Sequence, residues 1–262
     1  MRPILLRFGH VQVYAAPVFA GFAAIAAAVL IARHGEHAKL TPEKFWELML
    51  PLAVGTVGGA VVLYWFLWGG GVVRNFEFML RTHRFTGGAF YGDLLGAILA
   101  SWWACRRLGL SFRRVGDLLG LSAPAAMAVM RVGCFQNGCC FGKPTRVPWA
   151  VVFTDRRSAI YRSLLGVPVH PSQLYEMTAA AVIFVVIRWG VFPRARDGRL
   201  PAGSAFLSFL ALYGLARFSL DFVRGSDPGV FRPFGLTTAQ VLSLGAIAAA
   251  AALWRPWRDE PA

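Results

Sequence analysis

Long runs of apolar residues recur along the whole chain and decide its fold class. Of the 262 residues, 56% are hydrophobic and only 15% are charged, a balance that lies outside the range of soluble proteins. About 20 apolar residues are enough for a helix to cross the hydrocarbon core of a bilayer. We therefore expect an all-α polytopic membrane protein whose residues 1–262 form one membrane domain. The apolar stretches that predict about seven transmembrane helices are 11–33, 50–68, 89–105, 117–133, 173–193, 203–223 and 238–254.

The distribution of basic residues predicts the orientation of these helices. Arginine and lysine are more frequent after the first, third, fifth and seventh spans than in the other connections, and basic loops collect on the cytoplasmic side. We expect the N-terminus outside, the C-terminus in the cytoplasm, and residues 134–172 as an external head segment between the fourth and fifth spans. The first span is too long for the core of a signal peptide, so we expect it to be retained.

The net charge of +14 indicates membrane lipids as partners. In a soluble protein such a charge would suggest nucleic acid, but here the basic residues fringe the apolar spans. Anionic lipid head groups attract basic residues in that position. No surface strip of alternating basic and aromatic residues lies outside the spans, so we expect no nucleic-acid partner.

Charged residues inside a predicted span mark the stretch YGLARFSLDFVRGSD at 213–227. Arg217, Asp221 and Arg224 are spaced i, i+4 and i+7, which places them on one face of a helix. The group is either a buried ion pair that neutralises itself or a site in which Asp221 holds two guanidinium groups toward an anion. Guanidinium groups bind phosphate and carboxylate through two parallel hydrogen bonds.

The stretch RVGCFQNGCCFGKPT at 131–145 combines a basic residue at the end of a span with a glycine-rich turn. Gly133, Gly138 and Gly142 leave the backbone open to close approach, although small residues also serve helix packing in membranes. With Arg131 beside them they predict an anion pocket. Two arginine clusters from different helices suit a phosphodiester head group.

The stretch VPVHPSQLYE at 167–176 leads into the fifth span with five polar side chains. Ser172 has the residue type of a helix N-cap, and Glu176 has the charge that favours a first helical turn. Capping leaves His170 and Gln173 unexplained, so we treat these two as candidate binding residues.

The stretch GGAFYGDLLG at 87–96 carries Tyr91 and Asp93 at the start of the third span. Both are expected on the external side. Asp93 is either a charge at a helix N-terminus or part of the site.

Four cysteines allow three interpretations. Cys105 lies at the cytoplasmic end of its span, whereas Cys134, Cys139 and Cys140 lie on the external side, where oxidation permits a disulfide. A thiol beside a cationic arginine is alternatively a reactive thiolate. A metal site that uses these thiols with His170 lacks the CxxC spacing of zinc sites. The sequence therefore predicts neither a metal nor a cofactor.

Four of these stretches together resemble the bacterial prolipoprotein diacylglyceryl transferases. RVGCFQNGCCFGKPT is similar to the family signature G-R-x-G-N-F-x-N-G-E-x-x-G-x-P-T, and HPSQLYE is the string the family carries. YGLARFSLDFVRGSD resembles the family's Y-G-x-x-R-F-x-x-E-F-x-R, and GGAFYGDLLG resembles its G-G-x-x-F-H-G-G-L-x-G. The N-terminal VQVYAAPVFAGF is more loosely similar to the family's W-Y-G-L. The motifs cover nearly the whole chain in the family's order.

The resemblance implies a seven-span enzyme of the bacterial inner membrane with an external head. Such an enzyme moves a diacylglyceryl group from phosphatidylglycerol to the thiol of a lipobox cysteine in a prolipoprotein, and glycerol phosphate is released. Two further residues correspond less directly. Asp221 stands where the family has a glutamate, and Tyr14 matches a tyrosine in the N-terminal stretch, whose similarity is looser. The residues that match the family's motifs are Arg131, Asn137, Gly142, His170, Gln173, Arg217 and Arg224.

Departures from the family concentrate on the side of the site that handles protons. Tyr91 stands where the family has the histidine proposed to activate the thiol, and Asp93 replaces a glycine. Cys134 replaces an asparagine and Cys139 a glutamate, so both are candidate site residues in place of an amide and a carboxylate. Val57 occupies a position at which the family often has an arginine.

The reaction implied by the resemblance needs an anion stabiliser and a proton acceptor. Arg131 and Arg217 would stabilise charge on the departing phosphate, and Tyr91, Asp93 or His170 would accept the thiol proton. Three other functions stay open: transfer of a lipid group to another acceptor, non-catalytic phospholipid binding, and transport. No inverted repeat of the kind found in many transporters is visible between the two halves of the sequence.

Overall fold

The computed structural model describes residues 3–8, 11–67, 77, 90–225 and 235–259, and most of them are helical. The α-helices are α1 Ala15–His34, α2 Pro42–Leu67, α3 Phe90–Leu108, α4 Phe112–Asn137, α5 Ser172–Val185, α6 Phe192–Arg196, α7 Ser204–Leu220 and α8 Thr238–Asp259. A π-helical turn, Val186–Val191, joins α5 and α6 into one continuous rod. One short 3-10 turn, Gly35–Ala38, follows α1, and another, Arg162–Leu164, lies in the segment between α4 and α5.

The prediction of an all-α membrane protein is confirmed. Each of the seven predicted spans coincides with a helix or with the α5–α6 rod. Among the described residues, four helices are long and apolar enough to cross a membrane, namely Ala15–Ala38, Pro42–Phe66, Phe112–Asn137 and Ser172–Arg196. Two shorter apolar helices are Ser204–Leu220 and Thr238–Trp254.

Among the boundaries that differ from the sequence prediction, two bear on the site and the N-terminus. The first helix begins at Ala15 rather than at 11, because β2 (Val11–Tyr14) pairs antiparallel with β1 (Ile4–Phe8). The hydrogen bonds between the two strands use backbone N–H and C=O groups of residues 11–14 that would otherwise form helical hydrogen bonds. The fourth helix continues to Asn137 instead of ending at 133, so Cys134 lies within α4.

By internal contacts the chain divides into two units, one of residues 1–31 and 116–262 and one of residues 32–115. In the smaller unit, glycines let α2 and α3 approach to backbone contact. A Cβ added to Gly59 would lie 2.2 Å from the carbonyl oxygen of Gly92, and one added to Gly55 would lie 2.7 Å from that of Gly96. Both helices carry the G-x-x-x-G spacing, which is typical of tightly packed membrane helices.

In the larger unit, a buried carboxylate fixes the start of α7 against α4. Asp117 of α4 is fully buried, and its two oxygens accept hydrogen bonds of 2.8 Å from the backbone N–H groups of Gly203 and Ala205. These groups belong to the first turn of α7 and have no partner within the helix. Gly120 brings the backbones closer still, since a Cβ there would lie 2.6 Å from the backbone of Ala205. The contact positions the helix that carries Arg217.

The segment between α4 and α5 has a small hydrophobic core of its own. Its two short strands, β3 (Val151–Val152) and β4 (Pro168–Val169), pair antiparallel. Phe153 also contacts Phe135 of α4 edge to face, with ring centroids 6.3 Å apart. The buried residues of this core are Phe141, Phe153, Ile160 and Val169.

Candidate active site

Two arginines from different elements bind one buried carboxylate. Arg131 lies near the C-terminal end of α4, Glu176 near the start of α5, and Arg224 in the chain after α7. Nη1 of Arg224 donates to Oε1 of Glu176 at 2.5 Å, and Nη2 of Arg131 pairs with Oε2. Only 6% of the Glu176 side chain is exposed. The three side chains together carry one net positive charge, and we call them the Arg131–Glu176–Arg224 cluster.

Glu176 is the site residue that sequence reasoning missed. Its position near a helix start suggested only a charge that favours the first helical turns, with Ser172 as the N-cap. The N-cap of α5 is instead Pro171, which makes no side-chain capping bond. The available signal was the family string HPSQLYE, whose last residue is Glu176.

Asp221 pairs with one of the two arginines expected for it. Its Oδ1 lies 2.6 Å from Nη1 of Arg217, and its Oδ2 accepts from the hydroxyl of Thr237. The expectation that Arg224 shares this helix face is wrong, because α7 ends at Leu220 and the chain turns away before Arg224. Because of that turn, Arg224 pairs with Glu176 instead of Asp221.

Tyr213 connects α7 to the cluster. It lies one helical turn before Arg217 and is buried. Both Arg131 and Arg224 lie within electrostatic range of its phenol group. Tyr213 therefore brings one polar group of α7 near the cluster.

The glycine-rich turn after α4 is held between two other backbone segments. Gly142 N–H donates to the carbonyl of His170 at 3.0 Å, and Lys143 N–H donates to that of Val223 at 2.9 Å. A Cβ on Gly142 would lie 2.5 Å from the Cβ of His170 and 2.8 Å from the carbonyl oxygen of Val223. The space beside Gly142 is therefore filled by the protein itself. This glycine lets three segments meet immediately before Arg224.

The expected capping residue Ser172 and its neighbour Gln173 bind the same turn. The hydroxyl of Ser172 donates to the carbonyl of Cys140 at 2.6 Å, and Nε2 of Gln173 donates to that of Cys139 at 2.7 Å. Both side chains are fully buried. Within the described part of the chain, the buried Oε1 of Gln173 has no hydrogen-bond partner.

Three thiols gather beside Arg131. The sulfur atoms of Cys134, Cys139 and Cys140 all lie within 4.8 Å of one another, and Nη1 of Arg131 lies 3.8 Å from Sγ of Cys134. All four cysteines, including the buried Cys105, are free thiols, so the structure does not contain the disulfide that the sequence allowed.

The three thiols differ in their acidity. Hydrogen bonds with Cys134 and Cys139, followed by the guanidinium groups of Arg224 and Arg131, lower the pKa of Cys140. Hydrogen bonds with Cys134 and Cys140, followed by burial, raise the pKa of Cys139. The environment therefore makes Cys140 the more acidic and Cys139 the less acidic of these two thiols.

His170 belongs to a short chain of polar aromatic groups. Its Nδ1 lies 3.3 Å from the hydroxyl of Tyr175, and the same oxygen accepts from Nε1 of Trp149 at 2.5 Å. The direction of the His170–Tyr175 hydrogen bond depends on which ring nitrogen of His170 carries the proton.

The remaining predicted residues lie at or near the ends of helices or strands. Asn137 is the last residue of α4, and its carbonyl accepts from the N–H of Ala159 at 2.8 Å. Tyr14 ends β2 and donates to the side chain of Gln12. Tyr91 and Asp93 lie in the first turn of α3, within the unit of residues 32–115, and their roles in the site stay predictions.

Comparison with known proteins places these features in one family. Residues 3–255 match the family model described as prolipoprotein diacylglyceryl transferase. A phosphatidylglycerol–prolipoprotein diacylglyceryl transferase of Geobacter sulfurreducens is 31% identical over 227 residues, which cover 86% of this chain and 83% of the relative. The enzyme of the same name from Pseudomonas fluorescens is 32% identical over 228 residues, 84% of this chain and 80% of the relative.

A third relative of that name, from Aromatoleum aromaticum, is 38% identical over 180 residues, which cover 67% of this chain and 64% of the relative. The family match spans nearly the whole chain and includes every element that builds the arginine cluster and the turn around Gly142. This chain therefore belongs to the prolipoprotein diacylglyceryl transferase family.

Proposed function

We propose that this protein transfers the diacylglyceryl group of phosphatidylglycerol to the thiol of a lipobox cysteine in a prolipoprotein, releasing glycerol phosphate. The observation that carries the proposal is the Arg131–Glu176–Arg224 cluster in a chain of this family. Its one net positive charge is balanced by the single negative charge of a phosphodiester. The proposal also rests on relatives that are named for this reaction.

In the proposed reaction the lipobox sulfur forms a bond to the diacylglyceryl carbon that carries the phosphate. The C–O bond to the phosphate breaks and its electron pair stays on the departing glycerol phosphate, whose charge rises from one to two. Arg131 and Arg224 favour that increase in charge, because a stabilising cation contributes to rate when it acts on charge that develops in the transition state. Arg217, held by Asp221, supplies a further guanidinium on the helix of Tyr213.

Polar groups of the turn and of α5 bind the remaining parts of the lipid in this proposal. The unpaired Oε1 of Gln173 suits a donor such as a glycerol hydroxyl. His170 is a candidate both for a hydrogen bond to a lipid oxygen and for removal of the thiol proton. Asn137 and Tyr14 are further candidate contacts to the head group. Tyr91, Asp93 and His170 remain the three candidates for the proton acceptor.

A second candidate function is transfer of the lipid group to a different acceptor. It is favoured by the thiols of Cys134 and Cys139, which stand where the family resemblance places an amide and a carboxylate. In this proposal, the two thiols alter the part of the site that binds the acceptor, while Arg131 and Arg224 are retained.

We also propose the bacterial inner membrane as the location, with the N-terminus outside and residues 134–172 as the external head. The loop charges support this orientation. Tryptophan–arginine pairs at the end of α3, such as Arg106 over the ring of Trp102 at 4.3 Å, support a membrane interface at that helix end. A cysteine introduced at Asp155 should react with an impermeant thiol reagent from outside, and labelling from the cytoplasmic side alone would contradict the orientation.

Activity is tested with the full chain in vesicles that contain phosphatidylglycerol. A peptide with a lipobox cysteine is added, and both released glycerol phosphate and the mass of the peptide are measured. We expect equal amounts of glycerol phosphate and lipidated peptide, and neither product with a serine peptide. Arg131→Lys and Arg224→Lys should each lower the rate at least tenfold. The control is Arg157→Lys, at an exposed arginine that pairs with Asp155.

The outcomes separate the two candidate functions. Glycerol phosphate without peptide lipidation would favour another acceptor. Absence of glycerol phosphate under all conditions, from protein that is folded and inserted, would overturn both. Unchanged rates in the two arginine variants would overturn the assigned role of the cluster.

A further inference from the structure

The three thiols beside Arg131 come from two rigid supports. Cys134 lies within the last turn of α4 and is buried. Cys139 and Cys140 lie on the following turn, whose carbonyls are held by the buried side chains of Gln173 and Ser172. The sulfur atoms therefore meet because the fold brings them together, and the proposed transfer reaction assigns them no required role.

Their separation suits a common metal ion. Every pair of the three sulfur atoms lies within 4.8 Å. Sulfur ligands of a tetrahedral zinc ion at about 2.3 Å from the metal lie roughly 3.8 Å from one another. Rotation of the cysteine side chains that shifts the sulfur atoms by up to about 1 Å brings them to the separation found around a tetrahedral ion. Thiolates select soft cations over magnesium and calcium, which prefer oxygen.

The charge around the thiols is also complementary to a metal–thiolate group. A divalent ion bound by three thiolates carries one net negative charge, and the Arg131–Glu176–Arg224 cluster carries one net positive charge. Arg131 already directs Nη1 toward Sγ of Cys134 at 3.8 Å. Hydrogen bonds from such neighbours to ligating atoms orient and stabilise a metal site.

We propose that Cys134, Cys139 and Cys140 bind one soft divalent cation of the zinc and cadmium class, with the Arg131–Glu176–Arg224 cluster as its counter-charge. Three thiol protons leave when the three metal–sulfur bonds form. Three protein ligands leave one position of a tetrahedral ion for water or another small ligand. Metal binding is measured without lipid or acceptor, so its failure is distinguishable from failure of the transferase proposal. A bound metal–thiolate group would take up the same positive charge that the phosphodiester otherwise balances.

The test uses the purified full chain in detergent, fully reduced and then freed of reductant under inert gas. Cadmium is added stepwise, while sulfur-to-metal charge-transfer absorption is recorded and bound metal is counted after gel filtration. We expect saturation at one cadmium per chain. Cys134→Ser, Cys139→Ser and Cys140→Ser should each weaken binding at least tenfold. Cys105→Ser is the matched control and should bind as the unchanged protein does, because Cys105 lies on α3.

Two results with the variants would overturn the proposal: retention of the absorption in a variant that lacks all three thiols, and loss of binding in Cys105→Ser. A measurement on the unchanged protein covers the case in which a serine variant does not fold. X-ray absorption at the cadmium edge should count three sulfur neighbours. A count of two or fewer, or a chain that takes up no stoichiometric cadmium, would overturn the proposal.

Discussion

Oε1 of Glu176 lies 2.5 Å from Nη1 of Arg224, although 48 residues separate them in the chain. Glu176 lies near the start of α5 and Arg224 follows the end of α7, so their contact ties two helices together. The second oxygen of the same carboxylate holds Arg131 of α4. One acidic side chain thus sets the spacing of two guanidinium groups, and the phosphate-binding role proposed for them depends on that spacing.

Replacement of Glu176 by glutamine should lower both stability and transfer rate. The substitution keeps the shape of the side chain but leaves two partly buried guanidinium groups without a counter-charge. Removal of one partner from a buried ion pair typically costs about 3–5 kcal/mol. The melting temperature in detergent and the release of glycerol phosphate measure the two effects. Asp155→Asn, which changes an exposed ion pair, is the control, and an unchanged melting temperature for Glu176→Gln would contradict the structural role.

Replacement of Asp117 by alanine should destabilise the fold without altering the chemistry. It leaves the N–H groups of Gly203 and Ala205 buried and unpaired, and each such group costs about 1–3 kcal/mol. Asp117→Asn retains one acceptor and should be less destabilising. Thermal unfolding gives the order of the variants. The rate per folded molecule at low temperature should match that of the unchanged protein, and a selective loss of rate would refute a purely structural role.

Replacement of Gly142 by alanine should abolish transfer while the helices persist. The new Cβ would overlap His170 and the backbone of Val223, so the turn must move, and with it Arg224. Helical content by circular dichroism should stay near normal, whereas glycerol phosphate release should fall at least tenfold. Gly21→Ala is the matched control, because no atom lies within 4 Å of its added Cβ. Equal rates for the two variants would show that the turn tolerates displacement.

Adjacent glycines on α2 should respond in opposite directions to the same change. A Cβ on Gly59 meets the carbonyl oxygen of Gly92 at 2.2 Å, whereas one on Gly58 meets no atom within 4 Å. Gly59→Ala should therefore cost roughly 1–3 kcal/mol, the usual range for overpacking. Gly58→Ala should be neutral or stabilising by up to about 1 kcal/mol, because alanine has the higher helix propensity. Melting temperatures in detergent distinguish the two, and equal effects would contradict the close packing of α2 on α3.

Much of the fold could be predicted because hydropathy acts locally. Apolar runs of membrane-spanning length placed a helix at each of seven positions, and the order of the motifs matched the family. Helix ends were less predictable, since they depend on partners remote in sequence. Residues 11–14 form a strand because residues 4–8 pair with them, and the start of α7 depends on Asp117, which lies more than 80 residues earlier.

The candidate site could likewise be predicted only in part from the sequence. The sequence by itself determined which residue types are available: arginines at membrane depth, a glycine-rich turn, three neighbouring thiols and the string HPSQLYE. Only the tertiary structure decided their partners. It paired Arg224 with Glu176 instead of Asp221 and gave Ser172 a carbonyl of the turn instead of a capping role. Helical spacing predicts contacts within one helix, whereas these pairs form between segments whose meeting depends on the packing of α4, α5 and α7.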